Sequence, residues 1–173
     1  DTALWPAEYF PCSEDGHSMT DAVLLTGGAG YIGSHTYAAL VGAGYRVVIL
    51  DSFANAKRSV QDRLARITGA PVLCEEASIL DRPALDRILA EHGIGTVIHF
   101  AALKKVGESV ARPLAYMETN LGGLVTLLQA MEAAGIRQLV FSSSATVYGD
   151  PESVPVSESA PLSYQNPYGF TKL

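Results

Sequence analysis

From residue 22 onward, short apolar runs alternate with stretches of helical period. Ala22-Val23-Leu24-Leu25-Thr26 has no polar alternation, so it predicts a strand buried on both faces. Ile32 to Val41 predicts a helix that ends near Gly42 and Gly44. Arg46-Val47-Val48-Ile49-Leu50 reads as a second strand and Ser59 to Ile67 as a second helix. Pro71-Val72-Leu73-Cys74 is a weaker third strand. Asp81 suits the N-cap of a helix over Arg82 to Glu91, and Gly93 suits its end. Thr96-Val97-Ile98-His99-Phe100 predicts a fourth strand, Pro113 to Ala134 one long helix stopped by Gly135, and Gln138-Leu139-Val140-Phe141-Ser142 a fifth strand. Along the long helix, Leu121, Leu124, Val125, Leu128 and Met131 fall at helical spacing and predict a stripe packed on the sheet, part of which could also serve a dimer interface. Continuous apolar strands separated by helices imply an α/β fold of the Rossmann type, a doubly wound parallel sheet of about five strands covered on both faces.

Residues 1–20 show no period and are set aside as a leader or extension, with Met19 just ahead of the first strand; residues 21–173 form the predicted domain. A chain of 173 residues with 48% hydrophobic and 17% charged residues has enough apolar material for one real core. The net charge of −6 argues against a nucleic-acid or anionic-membrane binder. Cys12 and Cys74 are too few for a disulfide framework or a metal cluster, so no metal is expected. No apolar run approaches the roughly 18 residues of a membrane span. No basic segment leads into an apolar core at the start, and a cytoplasmic location is expected.

The chemistry concentrates in three places. Between the first strand and first helix lies Thr26-Gly27-Gly28-Ala29-Gly30-Tyr31-Ile32-Gly33, with glycines spaced Gly27-x-x-Gly30-x-x-Gly33 and Gly28-x-Gly30-x-x-Gly33. A tight turn with positive φ, a close approach by a pyrophosphate and close helix–strand packing each need a missing side chain, and the helix N-terminus then faces the phosphates. Asp51 follows the second strand, 18 residues after Gly33, where a carboxylate accepts hydrogen bonds from an adenosine ribose and repels a 2′-phosphate. NAD is therefore preferred to NADP, although Lys57 and Arg58 further along the loop are within possible reach of a 2′-phosphate. At the far end, Tyr168 and Lys172 are four residues apart and share a helix face, where the ammonium favours the phenolate as a general base. Ser142-Ser143-Ser144 upstream offers a hydroxyl for a proton relay. Strand alternation puts Ser142 on the same face as Ser144. His99, inside an apolar strand, and His35, at a helix start, read as structural; Lys104 follows the fourth strand at the edge where such sheets bind ligands.

Together these stretches resemble the extended short-chain dehydrogenase/reductases, and within them the UDP-glucose (UDP-galactose) 4-epimerase family. The resemblance is carried by Thr26 to His35, Lys57-Arg58-Ser59-Val60, Val97 to Lys104, Val106-Gly107-Glu108-Ser109, Phe141 to Asp150, and Pro167-Tyr168-Gly169 with Lys172-Leu173. It implies that only the N-terminal half of the family's length is represented and that the substrate domain is missing. It further implies that Tyr168 removes the proton of the sugar 4-hydroxyl, Ser144 relays it, and Lys172 tunes Tyr168 and holds the nicotinamide ribose. Hydride from C4 would pass to bound NAD and return to the other face of a 4-keto sugar. The cofactor-binding set implied is Gly27, Gly30, Tyr31, Ile32, Gly33, Asp51, Ser52, Ser78, Ile79, Phe100, Ala101, Lys104, Asn120, Ser142, Tyr168 and Lys172.

A UDP-hexose substrate and a homodimer, formed through the long helix and the helix that Tyr168 begins, are implied partners. The chain departs from the family at Ser78, where an aspartate usually bonds the adenine, and at Ser52, where an asparagine often follows the ribose carboxylate. Ala145 and Thr146 after Ser144 lack the acidic pair of a 4,6-dehydratase. A UDP-glucuronate epimerase, a sugar-ketone reductase and an inactive NAD-binding fragment remain open alternatives.

Overall fold

The computed structural model describes residues 21–173. The leader assigned to residues 1–20 lies outside them. Strands β1 (Ala22–Thr26), β2 (Val47–Asp51), β3 (Leu73–Glu76), β4 (Ile94–His99) and β5 (Gln138–Phe141) form one sheet in the order β3-β2-β1-β4-β5. Every pairing is parallel. The strand order reverses between β1 and β4, so a crevice opens there at the strands' carboxyl ends.

The helices are α1 (Tyr31–Gly42), α2 (Ser59–Thr68), α3 (Arg82–Glu91), α4 (Val106–Ala111), α5 (Pro113–Tyr116), α6 (Gly123–Ala133) and α7 (Pro167–Phe170). A π-helical turn, Met117–Gly122, joins α5 to α6, and a 3₁₀ turn covers Ala145–Val147.

Period-2 alternation divides each strand between two cores. Ala22, Leu24, Val48, Leu50 and Val97 meet Leu85 and Ile88 of α3 and Leu127, Ala130 and Met131 of α6 on one face. On the other face, Val23, Leu25, Val47 and Ile49 meet Tyr37 of α1 and Leu64 of α2. Asp81 caps α3 through the Ala84 N–H at 3.1 Å, and Gly93 after that helix takes φ 59°.

Several expectations change: β4 begins at Ile94 rather than Thr96 and ends at His99 rather than Phe100. β3 begins at Leu73 rather than Pro71 and runs on to Glu76; an edge strand tolerates charged side chains, here engaged by Arg87, His92 and Arg58. The single helix expected over Pro113 to Ala134 is interrupted by the π turn and preceded by α4. In α6, Leu127, Ala130 and Met131 go to the core. Val125 and Leu128 of the expected stripe are instead 53% and 44% exposed.

Candidate active site

A cleft of about 870 Å³ occupies the crevice at the carboxyl ends of β1 and β4, within the size range of ligand sites. The glycine loop forms its floor. Gly27 has φ 69°, and a Cβ there would stand 2.7 Å from the Ala101 backbone N. A Cβ on Gly33 would stand 2.5 Å from the Gly27 carbonyl oxygen, so the loop and the first turn of α1 pack backbone on backbone. Among the described residues no side chain caps that turn. Its N–H groups and the positive end of the helix dipole are left for an anionic group in the cleft.

Asp51 closes the adjoining wall. Its two oxygens accept from the Ala29 N–H at 3.0 Å and the Phe53 N–H at 2.9 Å. A carboxylate accepts about four hydrogen bonds, so capacity remains toward the cleft. Phe53 takes φ 54°, a left-handed conformation unusual for a bulky residue, and this holds its N–H on Asp51. Arg58 is turned away from a role with phosphate. It forks onto Glu76, with Nε at 3.1 Å, and its guanidinium lies 5.1 Å from the centre of the Phe53 ring. Ser52, Ser78, Ile79, Phe100, Ala101 and Lys104 line the remaining wall. The Ser78 hydroxyl oxygen accepts from the Leu80 N–H at 3.2 Å.

The far wall carries the tyrosine–lysine pair. Asn166 caps α7 through the Gly169 N–H at 2.8 Å, and Pro167 supplies the fixed φ of the first helical position. Tyr168, in α7, and Lys172, in the turn after it rather than on the shared helix face expected, both line the cleft. The Lys172 ammonium donates to the Ser142 carbonyl at 2.8 Å, and burial pushes it down to about 8. The three serines separate by geometry. Ser142 gives its carbonyl to Lys172, and the Ser143 hydroxyl donates to the Lys172 carbonyl at 2.7 Å. The Ser144 oxygen accepts from the Thr146 N–H at 3.2 Å and the Thr146 hydroxyl at 2.9 Å, so its own proton is available to the cleft.

Asn120 lies behind the wall rather than on it. Its side chain accepts from the Leu103 N–H at 2.8 Å and donates to the Leu103 carbonyl at 3.0 Å and the Thr171 hydroxyl at 2.9 Å. Thr171 in turn donates to the Tyr168 carbonyl at 2.8 Å. Asn120 thus clamps the Leu103 backbone to the end of the tyrosine's helix. Asn120→Ala strands the half-buried N–H and carbonyl of Leu103 and the buried Thr171 hydroxyl. It is expected to cost about 2–3 kcal/mol in urea unfolding of the full-length chain.

His99 is 1% exposed and its Nδ1 is 2.6 Å from the Thr26 hydroxyl. Burial, reinforced by the Lys172 ammonium, pushes the imidazole down to about 4. An unfolded histidine takes up its proton near 6.5. Stability from this residue is thus complete above about pH 6.5 and is lost as pH falls toward about 4. Between pH 7 and pH 4.5 the parent chain should lose about 2–3 kcal/mol more than His99→Gln, read from urea melts at the two pH values.

The model of the NAD dependent epimerase/dehydratase family matches residues 23–173. The chain belongs to this family. A UDP-glucose 4-epimerase of Bacillus subtilis (strain 168) is 53% identical over 152 residues, 88% of this chain and 45% of that protein. The Homo sapiens UDP-glucose 4-epimerase is 50% identical over 161 residues, 89% of this chain and 46% of that protein. A UDP-glucose 4-epimerase structure from Stenotrophomonas maltophila, with bound NAD and formylated UDP-arabinopyranose, superposes with a TM-score of 0.86 at 51% identity, over 88% of this chain and 45% of that one. The Bifidobacterium longum enzyme in complex with NAD+ and UDP superposes at 0.85 with 43% identity, over 87% and 45%.

The chain therefore spans less than half the length of the relatives it matches. Within this family's fold, the cleft walls also include Ser143, and with it Asn55 and Thr119, which no motif marks. Asn55 and Thr119 carry no local signal beyond being polar, whereas Ser143 was visible as the middle of the serine triplet.

Proposed function

We propose that this chain is the cofactor-holding half of an NAD-dependent enzyme that inverts C4 of a UDP-hexose, interconverting UDP-galactose and UDP-glucose. The observation that carries this reading is one cleft whose walls hold the glycine loop and Asp51 at one end and Ser144, Tyr168 and Lys172 at the other. That donor set fits the dinucleotide. The uncapped first turn of α1 takes the pyrophosphate, Asp51 an adenosine ribose, and Lys172 the nicotinamide ribose. Ser78 meets the adenine side with a hydroxyl in place of a charge. Because Arg58 is engaged by Glu76, no guanidinium waits for a 2′-phosphate beside Asp51, which favours NAD.

When bound, NAD supplies the acceptor and donor of hydride at the sugar carbon. Tyr168 takes the proton of the 4-hydroxyl as general base, through the Ser144 hydroxyl, and returns it when the alcohol re-forms. Lys172 supplies the positive charge that a phenolate needs. The Asn120–Thr171 link fixes α7, which carries Tyr168, and the turn after it, which carries Lys172, to the Leu103 wall of the cleft.

The selection of the sugar belongs to a substrate domain outside this sequence. We also propose a homodimer, supported by apolar side chains presented along α4 to α7: Val110, Leu114, Val125 and Phe170 are all exposed. A cytoplasmic setting agrees with the free thiol of Cys74. The test is a substrate panel run with the full-length protein: UDP-galactose, UDP-glucuronate, and a keto-sugar nucleotide with NADH. Turnover of UDP-galactose without added reductant is expected. Turnover of UDP-glucuronate alone, or of the ketone alone, would replace this reading with that of a sibling enzyme.

A further inference from the structure

We propose that His99 and Phe141 form a stacked aromatic seat that positions the Lys172 ammonium, acting on the reaction through the lysine; this rests on the epimerase reading above. The sheet register builds the seat. Thr26 of β1 pairs with His99 of β4, and His99 pairs with Phe141 of β5. Side chains in register on neighbouring strands share a face. The three therefore form a row at the strands' carboxyl ends, at the level of the cleft.

The Thr26 hydroxyl, 2.6 Å from His99 Nδ1, fixes the imidazole. The imidazole stacks on Phe141 with ring centres 5.9 Å apart and planes 20° from parallel. The Lys172 Nζ lies 4.8 Å from the centre of the Phe141 ring, within cation–π range. The ammonium is thus held by one ring and the Ser142 carbonyl.

What the lysine lacks is equally telling. None of the ion pairs among the described residues includes Lys172. A carboxylate partner would neutralise the field that the neighbouring phenol needs. A ring face steadies a cation without neutralising it. The ionisable groups lining the cleft with Lys172 are Tyr31, Asp51, Lys104 and Tyr168. His99, on the strand behind, stays neutral down to about pH 4, so it places no second cation against the ring. Burial brings the ammonium down to about 8, close enough to working pH for the seat to decide its charge.

The experiment uses the full-length, NAD-loaded protein with Phe141→Leu and Phe141→Tyr. It records the kcat–pH profile and the titration of the Lys172 ε-carbon by NMR. Phe141→Leu is expected to move both the alkaline limb and the lysine titration down by about one pH unit, while Phe141→Tyr, which keeps a ring, leaves both in place. A loss of packing alone would lower the melting temperature without moving either. Coincident titrations for Phe141→Leu and the parent protein overturn the seat, as does an equal displacement in Phe141→Tyr. A parent protein that converts no UDP-sugar counts against the epimerase reading. The lysine titration then decides the seat by itself, the same displacement upholding it and an unchanged value overturning it.

Discussion

Tyr168→Phe is expected to lower kcat for UDP-galactose roughly a thousandfold while leaving the bound dinucleotide and the melting temperature unchanged. The substitution removes one oxygen and nothing else. The ring keeps its edge-to-face contact with Tyr116, whose centre is 6.5 Å away, so the packing of α7 against α5 is preserved. The Asn166 cap and the Thr171 bond to the Tyr168 carbonyl involve no phenol atom. What disappears is the group proposed as the base for the 4-hydroxyl proton. Dinucleotide content after denaturation, measured beside kcat, separates this from a folding defect. A variant retaining more than about a tenth of kcat would remove Tyr168 from the base role, because general-base groups typically contribute a hundredfold or more.

The second large effect is expected at Gly27. Alanine there must hold φ 69°, which costs an L-residue about 1–2 kcal/mol, and its Cβ would stand 2.7 Å from the Ala101 backbone N. Ala101 continues the chain directly from β4, whose register with β1 is fixed as far as Thr26 and His99. The clash therefore cannot be relieved by rotating a side chain. Gly27→Ala should destabilise the full-length chain by about 3–5 kcal/mol and abolish dinucleotide retention. Gly42, in the last turn of α1, is the matched control. A Cβ there meets nothing within 4 Å. Gly42→Ala is expected to be neutral or to stabilise by up to about 1 kcal/mol, with retention intact. Thermal melts and dinucleotide content of the two variants check both expectations.

The parts of this molecule legible in the sequence are those set by local pattern. β1 and β2 are unbroken apolar runs, and unbroken runs mean strands buried on both faces. Asp81 and Gly93 delimit α3 by chemistry that acts within a few residues. The glycine spacing carried the loop because each glycine answers a local steric demand.

Other features depend on partners far along the chain. The π turn accompanies the bonds that Asn120 makes to Leu103 and Thr171, 17 and 51 residues away. Nothing in Met117-Glu118-Thr119-Asn120 announces it. The resemblance places Asn120 at the cofactor; that it also holds the wall facing the cleft has no local signal. Arg58 read as a possible 2′-phosphate ligand because Glu76, 18 residues later, becomes its neighbour only when β3 pairs with β2. His99 was legible as a buried histidine, but its stack with Phe141 follows from strand register, which apolar pattern alone leaves open.

The central claim is that one cleft oxidises and re-reduces the same sugar carbon without net redox change. The most direct test gives the full-length protein UDP-galactose deuterated at C4, with no dinucleotide added. The product is followed by mass and by NMR. The account predicts UDP-glucose with deuterium retained at C4 and no accumulation of reduced dinucleotide. Product formed only with added NADH, or product that has lost its C4 deuterium to solvent, would contradict it.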